Sequence, residues 1–77
     1  SLIIYSGQQF PLWQHKALIG GLSSKAIVVV DLAAKPVQEV QRLEMKQRIR
    51  GLHQAQDGSI WVIEDGLKAK LLKLHAN

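Results

Sequence analysis

Residues 48–65 decide the fold, and they read RIRGLHQAQDGSIWVIED, from Arg48 to Asp65. The middle of this stretch is Asp57-Gly58, a pair that accepts positive φ angles in tight primed turns and so predicts a hairpin. The four residues from Ile60 to Ile63 are all β-branched or aromatic, which is typical of a strand buried on both faces. The stretch therefore predicts two antiparallel strands joined by a turn.

Two arginines separated by one isoleucine lie at the start of this stretch. Side chains alternate along an extended strand, so Arg48 and Arg50 would share one face at a spacing of about 7 Å, while Ile49 points to the other face. Two guanidiniums at that spacing suit a planar polyanion. Taken alone, such a pair is more often two solvated strand residues.

The composition indicates one small domain. A chain of 77 residues without cysteine cannot contain a disulfide, and its 47% hydrophobic content argues against disorder. The three histidines His15, His53 and His75 lack the spacing of metal ligands, so we expect ordinary surface or strand residues and no metal site. No apolar run approaches the roughly 20 residues of a membrane span, and no signal-peptide pattern follows Ser1.

The net charge of +4 comes from lysines and arginines spread over the whole length of the sequence. Such a spread is typical of a solvated surface and not of a nucleic-acid interface. A basic helix over residues 37–50 would favour nucleic-acid binding, but the predicted hairpin at Asp57-Gly58 favours a β fold. We therefore expect no nucleic-acid partner.

Short segments elsewhere also carry strand signals. Residues 2–5 are aliphatic or aromatic, residues 26–30 give the strongest β signal, and residues 71–74 contain three leucines. Gly20-Gly21 interrupts the apolar segment 17–22, which indicates that another group packs close to the backbone there. Large side chains also occur in the predicted loop 8–16, where we expect them to close one end of the core: Phe10, Pro11 and Trp13.

Residues 37–47 are ambiguous. Apolar residues recur every three positions, at Val37, Val40 and Leu43. This spacing favours a helix, with Pro36 in its first turn. The stripe fails at the next turn, where Glu44 and Gln47 fall on the apolar side. Helix and strand are equally favoured by propensity alone.

A faint internal repeat relates residues 17–19 and 27–29 to residues 60–62 and 71–73. The offset of about 43 residues lies within the range of propeller-blade repeats. Many short strands separated by turns are typical of a sandwich, a barrel or a propeller.

Taken in order, these segments resemble the C-terminal part of the soluble quinoprotein sugar dehydrogenases, the glucose/sorbosone dehydrogenase family. The resemblance rests on Phe10-Pro11-x-Trp13, residues 17–22, Arg48-Ile49-Arg50, residues 57–65 and residues 71–74. It extends over nearly all 77 residues. Residues 48–65 are its most specific part.

The resemblance implies an all-β fold made of about two antiparallel blades of a six-bladed β-propeller. Residues 1–45 would form a complete four-stranded blade, and residues 46–77 an incomplete last blade of three strands. The implied strands are residues 2–6, 17–22, 25–32, 37–44, 48–56, 59–64 and 70–75. Residues 37–44 would then be an outer strand, which favours a strand over a helix in the ambiguous segment.

The family oxidises aldose sugars to lactones with pyrroloquinoline quinone, and calcium helps to hold that cofactor. Its arginine-x-arginine motif contacts the acidic groups of the quinone, and by resemblance Arg48 and Arg50 would do so here. The family's cofactor-contacting lysine corresponds to Ser23, with Lys25 two residues later as the candidate, and Gly51 stands where the family commonly has an acidic residue. Nothing in this chain corresponds to the family's catalytic base or calcium ligands, so we expect the chain alone to be inactive.

Two functional hypotheses follow. The first is a fragment of a quinoprotein sugar dehydrogenase, which would be periplasmic or secreted by resemblance. The alternative is a non-catalytic β-blade module that assembles through its strand edges, as a trimeric ring or an edge-strand dimer.

Overall fold

The chain forms two antiparallel sheets in the computed structural model, which describes residues 1–21 and 23–76. The seven strands are β1 (Leu2–Ile4), β2 (Ala17–Gly20), β3 (Ala26–Asp31), β4 (Gln38–Glu44), β5 (Ile49–Gln54), β6 (Ile60–Glu64) and β7 (Leu71–Leu74). The first sheet has the order β1-β2-β3-β4 and the second the order β5-β6-β7. A single 3-10 turn, Pro11–Trp13, lies in the loop between β1 and β2. The all-β class predicted from the sequence is confirmed.

Each strand lies inside the range predicted for it and is shorter by one or two residues at its ends. Strand β2 ends at Gly20, and Leu22, the last residue of the corresponding prediction, lies outside the described residues. Short strands of this kind are held by pairing with their neighbours, because isolated segments of three to six residues have little intrinsic stability.

The ambiguous segment is a strand, so the helix interpretation of residues 37–47 is wrong. Strand β4 pairs only with β3 and lies at the edge of the first sheet. Six of its seven residues are exposed. An outer strand faces solvent on both sides, which explains its polar composition and why its pattern resembled that of a surface helix.

The predicted hairpin is present, but its turn is not the two-residue primed turn. Only Gly58 has a positive φ, of 87°, and Asp57 does not. The loop is closed by the N–H of Gly58 donating to Ala55 O at 3.0 Å and the N–H of Ala55 donating to Ser59 O at 2.9 Å. The Asp57 carboxylate accepts from the Ser59 N–H at 2.9 Å, which stabilises the loop without a positive φ at Asp57.

The core lies between the two sheets. Its fully buried members include Leu18, Ile27 and Val29 from the first sheet, Ile49, Ile60 and Val62 from the second, and Tyr5 from the β1–β2 loop. Alternate positions along each strand supply the residues from the sheets, as the two-residue period of a strand requires. The other face of β6 is only partly covered, since Ile63 is 43% exposed, so the prediction of a strand buried on both faces is wrong for the described residues.

The two sheets approach each other closely at Gly20, as the glycine pair indicated. A methyl group built on Gly20 would lie 2.5 Å from Cγ2 of Ile49. The backbone N–H of Ile49 also donates to Gly21 O at 3.0 Å. The first residue of β5 is therefore fixed against the end of β2, and this seam positions the two arginines that flank Ile49.

No helix among the described residues is long and apolar enough to cross a membrane.

Candidate functional site

The fold brings the predicted site residues to one end of both sheets. Four backbone hydrogen bonds connect the segments at this end: Met45 N–H to Lys25 O (2.9 Å), Ile49 N–H to Gly21 O (3.0 Å), Asp65 N–H to Arg48 O (2.8 Å) and Glu64 N–H to Lys70 O (3.0 Å). They join the β2–β3 turn, the crossover 45–48 between the sheets, the start of β5 and the β6–β7 loop 65–70. These four segments define what we call the cationic end.

The cationic end holds six of the ten lysines and arginines of the chain: Lys25, Lys46, Arg48, Arg50, Lys68 and Lys70. All six are exposed. Three acidic residues lie at the same end, namely Glu44, Glu64 and Asp65. Basic residues that are spread along the sequence are thus gathered at one end of the fold, and their exposure agrees with the predicted solvated surface.

Arg48 and Arg50 point away from the core because Ile49 points into it. Ile49 is 1% exposed, whereas both arginines are exposed. The burial of one β-branched side chain at the seam therefore presents two guanidiniums to solvent. The predicted burial of Ile49 is confirmed, whereas the placement of both arginines on one face at about 7 Å stays a prediction.

A β-bulge at Arg50 changes the alternation beyond that point. Ile49 pairs with Glu64 and Gly51 with Ile63, so Arg50 is an extra residue without a partner on β6. Ile49 and Leu52 are both buried although they are three residues apart, which only a bulge permits. Bulges of this kind commonly redirect a side chain at a functional site.

Arg48 contacts Asp65, the residue that follows β6. Its Nε lies 3.8 Å from Asp65 Oδ2, and its side chain is 55% exposed. An ion pair this exposed contributes less than about 1 kcal/mol to stability. The contact with Asp65 places the Arg48 side chain beside the start of the β6–β7 loop.

Glu64 is a buried acid at the same end that the sequence did not single out. Its Oε1 accepts from the Lys70 N–H at 3.1 Å, which adds to the backbone bond between the same two residues. Glu64 faces the core beside Ile49, its partner across β5 and β6. The Glu64 carboxylate therefore closes the β6–β7 loop. The only sequence signal for this role was the place of Glu64 at the end of a strongly predicted strand.

Lys25 is the last residue of the β2–β3 turn before β3 begins, and its φ is 53°. Its backbone carbonyl accepts from Met45, while its side chain is exposed. Ser23 is exposed in the same turn. The fold therefore brings Lys25 to the end where the two arginines lie.

The opposite end of the molecule is closed by aromatic side chains, as predicted for the β1–β2 loop. The rings of Phe10 and Trp13 stack with centroids 4.4 Å apart, and Tyr5 packs edge-on against Trp13 at 6.3 Å. The indole N–H of Trp13 donates to Gln41 Oε1 at 2.9 Å. This packing confirms that Phe10 and Trp13 close the core, whereas Pro11 is exposed.

An open groove of about 260 Å³ also lies at this aromatic end, lined by Gln9, Phe10, Pro11, Leu12, Trp13 and Gln41. Its lining contains no charged side chain, so it lacks the groups that would recognise a polyanion. We place the candidate site at the cationic end because of its charge, although the groove is the more concave feature.

No group of three His, Asp or Glu side chains in the described parts of the chain is arranged to hold a metal ion. His15, His53 and His75 are all exposed and lie on separate segments. Calcium requires six to eight oxygen ligands, and histidine side chains do not supply oxygen.

Comparisons with known proteins give the same family from sequence and from structure. The sequence profile described as Glucose / Sorbosone dehydrogenase matches residues 1–73. The chain is 33% identical over 75 residues to the aldose sugar dehydrogenase YliI of Escherichia coli strain K12, a match that covers 95% of this chain and 20% of that protein.

Two crystal structures superpose on nearly the whole chain. The soluble aldose sugar dehydrogenase from Escherichia coli in the apo-form matches with a TM-score of 0.84 at 32% identity, covering 99% of this chain and 22% of that one. A glucose dehydrogenase matches with a TM-score of 0.86 at 34% identity, covering 100% of this chain and 23% of that one. The propeller-type fold is confirmed, and the chain spans about a fifth of the length of these relatives.

Proposed function

This chain belongs to the glucose/sorbosone dehydrogenase family, and we propose that its cationic end is part of the surface that binds pyrroloquinoline quinone in a sugar dehydrogenase. The observation that carries the proposal is the burial of Ile49 between two exposed arginines. For the whole protein we propose oxidation of an aldose sugar, in the periplasm or outside the cell. We further propose that residues 1–45 and 46–77 are its last two blades.

The chemistry of the side chains at the cationic end fits the quinone, which is a planar tricarboxylate. A guanidinium can donate two parallel hydrogen bonds to one carboxylate, which fixes both the position and the plane of the bound group. We propose that Arg48 and Arg50 bind carboxylates in this way and that Lys25 supplies a third positive charge. When bound, the quinone accepts a hydride from the sugar, and the residues of this chain hold and orient it.

We propose that the base that accepts the sugar's hydroxyl proton belongs to another part of the whole protein. The calcium ligands would also lie there. The 77-residue chain is then expected to bind the cofactor without oxidising sugar. Quinone-dependent sugar oxidation by the purified chain would contradict this assignment.

The proposal is tested by titrating the purified chain with the quinone and following its absorbance or the quenching of tryptophan fluorescence. Arg48→Ala and Arg50→Ala should each weaken binding about tenfold or more, because a hydrogen bond to a charged group contributes about 1.5–3 kcal/mol.

The matched control is Arg42→Ala, which removes an exposed arginine from β4, where it pairs with Glu39 at 2.8 Å. It makes the same change in net charge and should alter the affinity less than twofold. Equal weakening by all three variants, or no binding by the wild-type chain, would overturn the proposal.

A second candidate function, self-assembly, is favoured by the outer face of the first sheet. Leu2 and Ile4 are 58% and 50% exposed on that face, beside the partly exposed Ile19 and Val28. Strands β4 and β7 are each paired on one side only, which leaves edges that can accept another strand. We propose that copies of the chain associate through these surfaces as a trimeric ring or a dimer.

Light scattering behind a sizing column tests the assembly. A dimer or trimer that becomes monomeric on Ile4→Lys would support it. The control is Leu12→Lys, at an exposed apolar residue of the β1–β2 loop and not of the sheet face, which should leave the mass unchanged. A monomeric wild-type chain would rule out self-assembly.

A further inference from the structure

The cationic end carries more positive charge than two arginines and one lysine. Three further exposed lysines lie at the same end: Lys46 in the crossover 45–48, and Lys68 and Lys70 in the β6–β7 loop. We call these three residues the lysine collar. They reach this end only because the crossover and the loop are connected through β5 and β6.

The segments that carry the collar are anchored by their backbones. The crossover is fixed by Met45 N–H to Lys25 O and by Ile49 N–H to Gly21 O. The β6–β7 loop is closed at Lys70 by both the backbone and the side chain of Glu64. The crossover and the loop are therefore both fixed at the end where Arg48 lies, and the lysine side chains that they carry are exposed there.

Few of these charges are neutralised locally. The ion pairs within 4 Å among the described residues are Arg42–Glu39, Arg48–Asp65 and Lys73–Asp57, and none includes a collar lysine. The three acids at this end offset the field only in part. Glu64 is buried and accepts from a backbone N–H, Asp65 faces Arg48, and Glu44 remains exposed.

We propose that the lysine collar attracts the anionic cofactor electrostatically and sets its rate of association, while Arg48 and Arg50 determine how long it stays bound. The inference rests on the proposed quinone site. Charges clustered around a site raise the association rate of an opposite charge, and ionic strength screens this effect because the charges are exposed. Direct hydrogen bonds change the dissociation rate instead.

The test is stopped-flow binding of pyrroloquinoline quinone to the 77-residue chain at several salt concentrations. The collar variant Lys46→Gln/Lys68→Gln should lower the association rate constant severalfold at low salt and flatten its salt dependence. Its dissociation rate constant should change less than twofold. Arg48→Ala should show the opposite pattern, with a faster dissociation.

The matched control is Lys16→Gln/Lys35→Gln, which removes the same two charges from the opposite end of the molecule. It should leave the association rate constant within twofold of the wild type. An equal loss in this control would mean that net charge alone acts, and an unchanged rate in the collar variant would overturn the inference while leaving the quinone site intact. No binding by the wild-type chain would instead overturn the proposed function and the inference together.

Discussion

The two ends of the molecule differ in how their segments are held together. At the aromatic end, side chains join segments that are far apart in sequence: Tyr5 Oη donates to Gly58 O, and Gln9 Nε2 donates to Asp57 O at 2.7 Å. At the cationic end, backbone hydrogen bonds join the distant segments instead, and the lysine and arginine side chains are exposed. Aromatic packing is thus concentrated at one end and exposed positive charge at the other.

This separation is useful physically. A cluster of like charges destabilises a compact chain through mutual repulsion, so residues that bind an anion contribute little to folding before the anion arrives. Burial of aromatic side chains at the other end can offset this repulsion, because those side chains lie outside the candidate site. Variants of the buried aromatic residues should therefore change mainly stability, and variants of the exposed charged residues at the cationic end should change mainly binding.

The largest effect is expected at the aromatic end, for Trp13→Ala. The change removes a buried indole, its stacking on Phe10 and its hydrogen bond to Gln41. Truncating a buried tryptophan costs about 3–5 kcal/mol, a large share of the stability of a small domain. Urea unfolding followed by circular dichroism measures the loss.

Two further variants make the Trp13 prediction specific. Trp13→Phe keeps an aromatic ring against Phe10 and should lose less than Trp13→Ala. Leu12→Ala changes the neighbouring residue, which is 79% exposed, and should stay within about 0.5 kcal/mol of the wild type. If Trp13→Phe folds but loses quinone binding as Arg48→Ala does, the separation between the two ends is wrong.

The next largest effect is expected at the seam, where Gly20→Ala should cost about 1–3 kcal/mol through overpacking. The added methyl would meet Cγ2 of Ile49, a β-branched side chain with little freedom to rotate. Because Ile49 lies between the two arginines, this variant should also weaken quinone binding. Gly20→Ala is thus expected to lower both the free energy of unfolding and the affinity for the quinone.

Gly51→Ala is the matched control for the seam. Its new methyl would lie 3.4 Å from Cδ1 of Ile63, an ordinary contact, so stability should be nearly unchanged. A double-mutant cycle of Gly20→Ala with Ile49→Ala should show the double variant at least about 1 kcal/mol more stable than the sum of the single changes predicts. Strict additivity would mean that the two residues do not compete for the same space.

Much of the fold could be predicted from the sequence because strand signals are local. The run around Val28 and the alternation at Ile49 are visible without any tertiary information, and Gly20-Gly21 correctly indicated a close approach. Strand β4 required the family resemblance, because a strand exposed on both faces has no apolar alternation to detect.

The remaining features depend on contacts between distant segments. The gathering of Lys46 and Lys68 at one end follows from strand order, which local patterns do not contain. The bulge at Arg50 depends on the pairing of β5 with β6. The turn at Asp57 depends on whether its carboxylate accepts from Ser59 or its backbone adopts a positive φ, and the dipeptide Asp-Gly permits both.

The smallest effect is expected in acid, at Asp57 in the hairpin loop of the aromatic end. The hydroxyl of Ser59, its N–H and the nearby Lys73 ammonium lower the pKa of Asp57 below its usual value. A lowered pKa in the folded state stabilises the protein above the unfolded pKa, about 3.9, and this contribution is lost as the pH falls through the folded pKa. Asp57→Asn should therefore flatten the fall in melting temperature below about pH 4.

Ser59→Ala distinguishes the hydrogen bonds from the charge of Lys73. It removes the hydroxyl donor and leaves the loop backbone and Lys73 in place, so the pKa of Asp57 should move back toward its ordinary value while quinone binding stays the same. Carboxyl titration by nuclear magnetic resonance measures the shift directly. If Lys73→Gln moves the pKa of Asp57 further than Ser59→Ala does, the ion pair with Lys73 and not the loop's own hydrogen bonding controls this carboxylate, and electrostatics then matters at the aromatic end as well as at the cationic end.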